Sequence, residues 1–201
     1  MLNSRTKPFR FILASGSPRR QQFFKDMQLD VVIETKPIEE VFPPSLQHTQ
    51  ITDYLAEHKS KPFLSTLQEN DVLITSDTLV WHEGKAIGKP NSVEEAVDML
   101  LSLANATHEV ITSVTFTTLA GQHTLNDVTA VSFGPLTESE INHYIAHFKP
   151  FDKAGSYGIQ DWIGLVGVQG IVGSYTNVMG LPVEKVYRYI VEHFTTTTHV
   201  H

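Results

Sequence analysis

Hydrophobic and polar positions alternate along the chain with two periods. Phe9 to Ala14 is a short apolar run that predicts a strand, and it passes through Ser15-Gly16-Ser17-Pro18-Arg19-Arg20 into Gln21, Gln22, Phe23 and Phe24 at helical spacing. Ser17 suits an N-cap and Pro18 the first helical position, where the missing N–H removes no bond. Val31-Val32-Ile33 predicts a second strand. Lys36 to Pro44 reads as a loop stiffened by prolines, with Glu39-Glu40 inside it. The spacing of Ile51, Leu55 and Phe63 predicts a helix from Thr49 or Thr52 to about Leu67, interrupted near Pro62, on which His58, Lys59 and Lys61 would by default be surface charge.

The central stretch is Val72 to Pro90. Val72-Leu73-Ile74 predicts a buried strand, Ser76-Asp77-Thr78 interrupts the apolar run, and Leu79-Val80-Trp81 resumes the apolar character. A carboxylate flanked by hydroxyls is costly to bury unless it is hydrogen-bonded, coordinated to a metal or used in chemistry, and a capping or turn role competes with those uses. His82-Glu83-Gly84-Lys85 is a strand-joining turn, and the hairpin it predicts would bring Lys89 back toward Asp77. An acid and a base meeting at a hairpin base make a plausible site for a metal–phosphate complex.

Beyond it, Asn91-Ser92-Val93-Glu94-Glu95 opens a helix with Ala96, Val97, Leu100, Leu101 and Leu103 on its apolar face. Glu109 to Leu119 and His123 to Phe133 are β-rich and joined by Ala120-Gly121-Gln122, a predicted hairpin. Thr137-Glu138-Ser139-Glu140 starts another helix. His143 and His147 share one of its faces, but with no third ligand in reach they read as surface or packing residues. Phe151 to Gln160 and Gly173 to Pro182 are glycine-interrupted polar stretches that suggest loops at a site, and Val166 to Val172 between them is apolar and glycine-spaced. Val183 to Phe194 predicts a closing helix, and Thr195 to His201 a frayed tail. Strands and helices interleave, so the class is mixed α/β.

Charge and composition narrow the function. Fifteen basic against twenty-two acidic residues give a formal charge of -7, which disfavours a broad nucleic-acid or anionic-membrane surface while leaving room for a local anion site. Arg19 and Arg20 add positive charge to a helix N-terminus whose dipole is already positive, which points to a bound anion; a solvated arginine pair is the plainer alternative. The Walker pattern is missing. With no cysteine, a thiol nucleophile, a disulfide framework and Cys-type zinc sites are excluded. No apolar run is long enough to span a bilayer, and the first ten residues lack the apolar core of a signal peptide, so a soluble, cytoplasmic protein is expected.

Four segments taken together resemble the Maf family of nucleoside triphosphate pyrophosphatases: Leu13 to Arg20, Ser76-Asp77-Thr78 with Gly88-Lys89-Pro90, Asp152 to Gln160, and Gly173 to Pro182. They occur in family order and span nearly the whole chain. The resemblance implies one Maf-like domain over residues 1–201, a mixed-sheet α/β fold related to the inosine triphosphatases, with two lobes around a central cleft. It also implies a divalent metal, usually magnesium with manganese or cobalt as substitutes, a homodimer, and hydrolysis of a nucleoside triphosphate to the monophosphate and pyrophosphate.

Carried over by position, Asp77 matches the family's catalytic acid and Thr78 its neighbour, while Arg19 and Gln160 match positions tied to substrate choice. Glu40, Lys59, Lys89, Asp152 and Lys153 match other polar cleft positions, Glu40 and Lys59 within segments only loosely like the family. The expected roles are then Asp77, Lys89 and Glu40 in catalysis; Arg19, Thr78, Gln160, Ser15, Ser17, Lys59 and Lys153 in substrate binding; and Asp77, Glu40 and Asp152 at the metal. The family group with Arg in the Ser-Pro-Arg loop and Gln after Tyr-Gly-Ile prefers dTTP and UTP, with modified pyrimidine triphosphates a further option. A second group, with Glu in place of that Gln, acts on 7-methyl-GTP. A non-catalytic nucleotide-binding regulator of septum formation is the rival reading, and a nucleic-acid-binding module a weaker third.

Overall fold

The computed structural model describes residues 2–195. The expected tail therefore lies, apart from Thr195, outside the described residues, and His199 and His201 with it. The chain divides into two compact units: Met1–Asp77 with Ser113–Asn126 and Gly180–His201, and Thr78–Thr112 with Asp127–Met179.

The first unit opens with a short helix, α1 (Leu2–Arg5), and the strand β1 (Arg10–Leu13). The helix α2 (Pro18–Asp26) leads to β2 (Val31–Ile33), and α3 (Thr49–His58) with a tight helical turn (Lys61–Thr66) leads to β3 (Asp71–His82). β1 is apolar on both faces and paired on both edges: it runs parallel to β2, with Phe11 opposite Val31, and parallel to β3, with Phe11 opposite Val72 and Leu13 opposite Ile74. Arg10 opposite Asp71 closes one end with a paired hydrogen bond, Nε to Oδ1 and Nη2 to Oδ2, each 2.7 Å. That hydrogen bonding holds the buried Asp71 carboxyl below its ordinary range. The unit's core gathers Phe11, Leu13, Phe24, Val72, Ile74, Val114 and Phe116 against Leu181, Val186, Ile190 and Phe194, the last three from α8 (Val183–Phe194).

The second unit contains the end of β3 and β4 (Lys85–Ile87), which pair antiparallel with Val80 opposite Ile87, as the turn residues predict. Glu83 at φ 48° and Gly84 at φ 74° form the turn, and both values are needed where a two-residue loop must follow the right-handed strand twist. α4 (Val93–Leu103) is capped by the Ser92 hydroxyl, which accepts from Glu95 N, and α5 (Glu138–Phe148) carries a reciprocal capping box between Thr137 and Glu140. The long hairpin strands β5 (Thr107–Thr118) and β6 (Gly121–Phe133) follow the expected positions. Two elements are not evident from the pattern: α6 (Trp162–Gly167) and β7 (Val168–Val172), whose glycines blur both periods. β7 pairs antiparallel with β6, Ile171 opposite Val131. A one-turn helix, α7 (Tyr175–Val178), sits in the stretch expected to be a loop. Val80, Leu100, Leu103, Val131, Phe133, Ile141, Tyr144, Tyr157 and Ile163 form this unit's core.

Together the strands make a seven-stranded mixed sheet in the order β2-β1-β3-β5-β6-β7, with β4 on β3. The capping or turn role weighed for Asp77 is excluded: the apolar run is interrupted at Ser76-Asp77-Thr78, but β3 runs unbroken from Asp71 to His82. The burial of Asp77 and of the Thr78 hydroxyl is met with hydrogen bonds rather than with a break in the ladder, while the buried Ser76 hydroxyl has no hydrogen-bond partner among the described residues.

Candidate active site

In the first unit the sequence-predicted residues converge. The loop between β1 and α2 is pinned at its start by Ala14 N to Ile74 O (2.9 Å) and shaped by Ser17 N donating to the buried Ser15 hydroxyl at 3.2 Å. Ser17 caps α2 through a long bond, 3.5 Å, from Arg20 N. Arg19 therefore lies in the first turn of α2, beside the N–H groups that the helix itself leaves without partners. Arg20 does something different. Its Nε donates to Gly180 O at 2.8 Å and its Nη1 to Ser76 O at 3.1 Å. It is thus a partly buried brace from α2 to the residue just before Asp77, and neither a solvated arginine nor a free anion ligand. Burial lowers its pKa, with Arg19 adding repulsion and Asp77 and Glu40 drawing the other way.

Asp77 is buried at 7% exposure, and Lys59 faces it. Lys59 Nζ lies 2.6 Å from Asp77 Oδ1 and 2.9 Å from Glu40 Oε1, so one ammonium joins a strand carboxylate to a loop carboxylate. The same Nζ is 3.4 Å from Ser76 O. Lys59 is C-cap of α3, only 15% of its side chain is exposed, and the expectation that it would be surface charge is reversed. Thr75, next but one to Asp77, donates to Ala56 O at 2.6 Å and so fixes β3 against α3. A buried carboxylate stays ionised at acceptable cost only with such a partner.

The second unit holds the rest. Thr112 donates to Asn177 O at 3.1 Å, so the 2.9 Å contact between Thr78 and Thr112 has Thr78 as donor. Asn177 is fully buried and donates to Val110 O and Thr129 Oγ1, which makes the Gly173-to-Pro182 stretch a fastening of β5 and β6. Lys89 follows Gly88, whose carbonyl accepts from Gly155 N at 2.9 Å, tying the turn after β4 to the loop that carries Asp152 and Lys153. Lys153 Nζ is 2.7 Å from Asp152 Oδ1 and 3.8 Å from Asp161 Oδ2. Gln160, exposed, donates from Nε2 to Asp161 Oδ1 at 3.1 Å. Beneath this loop Tyr157 OH and His108 Nε2 are 2.7 Å apart, and burial, helped by His82, pulls His108 down to about 4.

Sequence reasoning gave no weight to Arg20 as a brace, to Asp161 or to Tyr144, whose hydroxyl donates to Asp161 Oδ2 at 2.8 Å. Asp161 before Trp162 had a visible signal, an acid at a helix start; Tyr144 read as one more apolar face position. His143 and His147 are exposed, with His147 Nδ1 2.8 Å from His143 O, and among the described residues they belong to no metal-holding group.

A family model described as "Maf-like protein" matches residues 10–193. A protein of Flavobacterium johnsoniae named dTTP/UTP pyrophosphatase is 54% identical over 190 residues, covering 94% of this chain and 98% of its own length. One from Bacteroides fragilis with the same name is 47% identical over 181 residues, covering 90% and 94%. Among solved structures, a Mycobacterium abscessus nucleoside-triphosphatase / dITP/XTP pyrophosphatase aligns with a TM-score of 0.43 at 11% identity, over 90% of this chain and 93% of that one.

Proposed function

The chain belongs to the Maf-like family, and from that membership we propose that it is a nucleoside triphosphate pyrophosphatase acting on dTTP and UTP. The products would be the nucleoside monophosphate and pyrophosphate. The observation that carries this reading is the Lys59 ammonium between the Asp77 and Glu40 carboxylates, beside a helix start bearing Arg19, in a chain whose relatives are named dTTP/UTP pyrophosphatases.

The chemistry asks for three things of the protein: a carboxylate to orient and deprotonate water, cations to hold anionic phosphates, and a polar group to read the base. Asp77 is assigned the first role. Arg19, Lys59, Lys89 and Lys153 supply the cations, with Ser15, Ser17 and Thr78 as neutral phosphate or sugar partners. Gln160 reads the base. Its amide has one acceptor and two donors, which suit the O4 acceptor and N3–H donor of uracil or thymine.

A divalent cation, magnesium first, is part of the proposal. Among the described residues no three His, Asp or Glu side chains gather as a metal-holding group. That donor set still fits magnesium, which is ordinarily held by one or two carboxylates with substrate phosphates and water. Glu40 and Asp77 would hold it, and Asp152 is the further acid assigned to it. When bound it would neutralise charge developing on the phosphates.

A homodimer is proposed as well. Its support is β7, an edge strand carrying exposed Ile171 and Val172 close in sequence to exposed Leu165 and Val166, an apolar edge of the kind that a second copy covers. Light scattering that gives only a monomer overturns this. No helix among the described residues is long and apolar enough to cross a membrane, and the cytoplasm is the proposed location.

Product analysis tests the activity. The full chain incubated with UTP and magnesium should release UMP and pyrophosphate in equal amounts; UDP and phosphate would contradict the assignment.

A further inference from the structure

We infer that Asp161 is a positioning residue for substrate choice: its carboxylate fixes which way the Gln160 amide faces, and so which pyrimidine edge that amide accepts. The inference rests on the proposed function for the role of Gln160.

Gln160 Nε2 lies 3.1 Å from Asp161 Oδ1. An ionised carboxylate only accepts hydrogen bonds, so the amide nitrogen must be the end that faces it. The amide oxygen and the second N–H are then presented in one fixed order. Gln160 is exposed and available to a ligand, whereas only 17% of the Asp161 side chain is exposed.

Asp161 is itself held in place. Tyr144, fully buried on α5, donates its hydroxyl proton to Asp161 Oδ2 at 2.8 Å. The same hydroxyl accepts from Gly158 N at 3.0 Å, so its single proton is committed to Asp161. Lys153 Nζ adds a cation 3.8 Å from Oδ2. Gly158 lies against both groups: a Cβ there would lie 2.5 Å from Asp161 Oδ2 and 2.7 Å from Gln160 Nε2, so a larger residue would have to displace these side-chain ends from the positions they hold.

The consequence follows from the two pyrimidine edges. Uracil and thymine present an O4 acceptor beside an N3–H donor; cytosine presents an amino donor beside an N3 acceptor. Turning an amide over exchanges its donor and acceptor, so a free glutamine matches either edge. A clamped one matches one of them and sets donor against donor and acceptor against acceptor on the other.

The test compares UTP with CTP in the wild-type full chain, Asp161→Asn and Tyr144→Phe. Asparagine keeps the size of aspartate but can donate as well as accept, so it tolerates both orientations of Gln160. The UTP-to-CTP ratio of kcat/KM should fall by about threefold to tenfold in Asp161→Asn, through KM rather than kcat, and in the same direction by less in Tyr144→Phe. Thermal melting checks that each variant is folded. Binding of non-hydrolysable α,β-methylene analogues of the two nucleotides, followed by calorimetry, gives the same ratio without turnover. Discrimination unchanged in folded Asp161→Asn overturns the inference, as does a wild type that binds both analogues alike or neither. A wild type that discriminates in binding yet releases no pyrophosphate overturns the proposed activity and leaves this inference standing.

Discussion

Lys59 holds its ammonium 2.6 Å from Oδ1 of Asp77, and its other carboxylate partner is Glu40 at 2.9 Å. The cation therefore keeps a partner when Asp77 is neutralised. Asp77→Asn preserves shape and burial but can no longer take a proton or bind a cation as a carboxylate does. Turnover should fall by roughly 10²-fold or more, the scale of a lost general base. Circular dichroism and the melting temperature should stay close to wild type. Near wild-type rates in this variant would shift the role to Glu40 or Asp152.

Arg20 gives a second prediction. Its guanidinium serves Gly180 O and Ser76 O in two directions at once, which the single ammonium of lysine does not reproduce. Arg20→Ala leaves both carbonyls without these donors and should lower stability by about 1–3 kcal/mol. Arg20→Lys should recover only part of it. Urea unfolding measures both, and an alanine variant as stable as wild type would show that the brace has no weight.

The fold was largely legible where local chemistry and period agree. Ser17-Pro18, Ser92 and Thr137 each announce a helix start that the structure contains, and Glu83-Gly84 announces the β3–β4 turn. It was not legible where glycine removes the pattern: Gly164, Gly167 and Gly170 hide the end of α6 and the strand β7. Polar residues misled in β3, because the partners of the Asp77 carboxylate, the Thr78 hydroxyl and the Ser76 carbonyl come from residues far along the chain, Lys59, Thr112 and Arg20 among them. For the same reason Lys59 read as surface charge by position on its helix. Asp77 itself stood out, since a carboxylate within an apolar run is unusual enough to be noticed without knowing its partners.

His108 sets a pH dependence. Burial depresses its pKa from 6.5 to about 4 in the folded chain, while the unfolded chain titrates at the ordinary value. Between those values the unfolded state binds the extra proton, so stability is lost as pH falls from 6.5 toward 4 and does not change on this account above 6.5. The loss is about 3 kcal/mol. His108→Gln keeps a polar partner for Tyr157 and cannot ionise, so its stability should fall less over this window. Asp71, held low by Arg10, loses its contribution below its ordinary value of 3.8, outside most of the window. Urea titrations of wild type and variant at several pH values measure the difference, and parallel curves would contradict it.

Gln160→Glu replaces an amide by a second carboxylate next to Asp161, the present partner of Gln160. The donor to the base O4 and the donor to Asp161 are both removed, and like charges face each other. We expect kcat/KM for UTP to drop by about tenfold or more, chiefly through KM, with the fold retained. Undiminished UTP hydrolysis in the variant would remove Gln160 from base reading.

The central claim is a pyrimidine-directed pyrophosphatase, and kcat/KM over a panel of nucleoside triphosphates tests it most directly. The full chain is assayed with magnesium and a coupling pyrophosphatase on dTTP, UTP, CTP, GTP, ATP and 7-methyl-GTP. The account predicts that dTTP and UTP lead the panel and that 7-methyl-GTP is a poor substrate. A preference for 7-methyl-GTP would contradict the assignment of substrate, and no turnover of any nucleotide would contradict the enzyme itself in favour of a binding regulator.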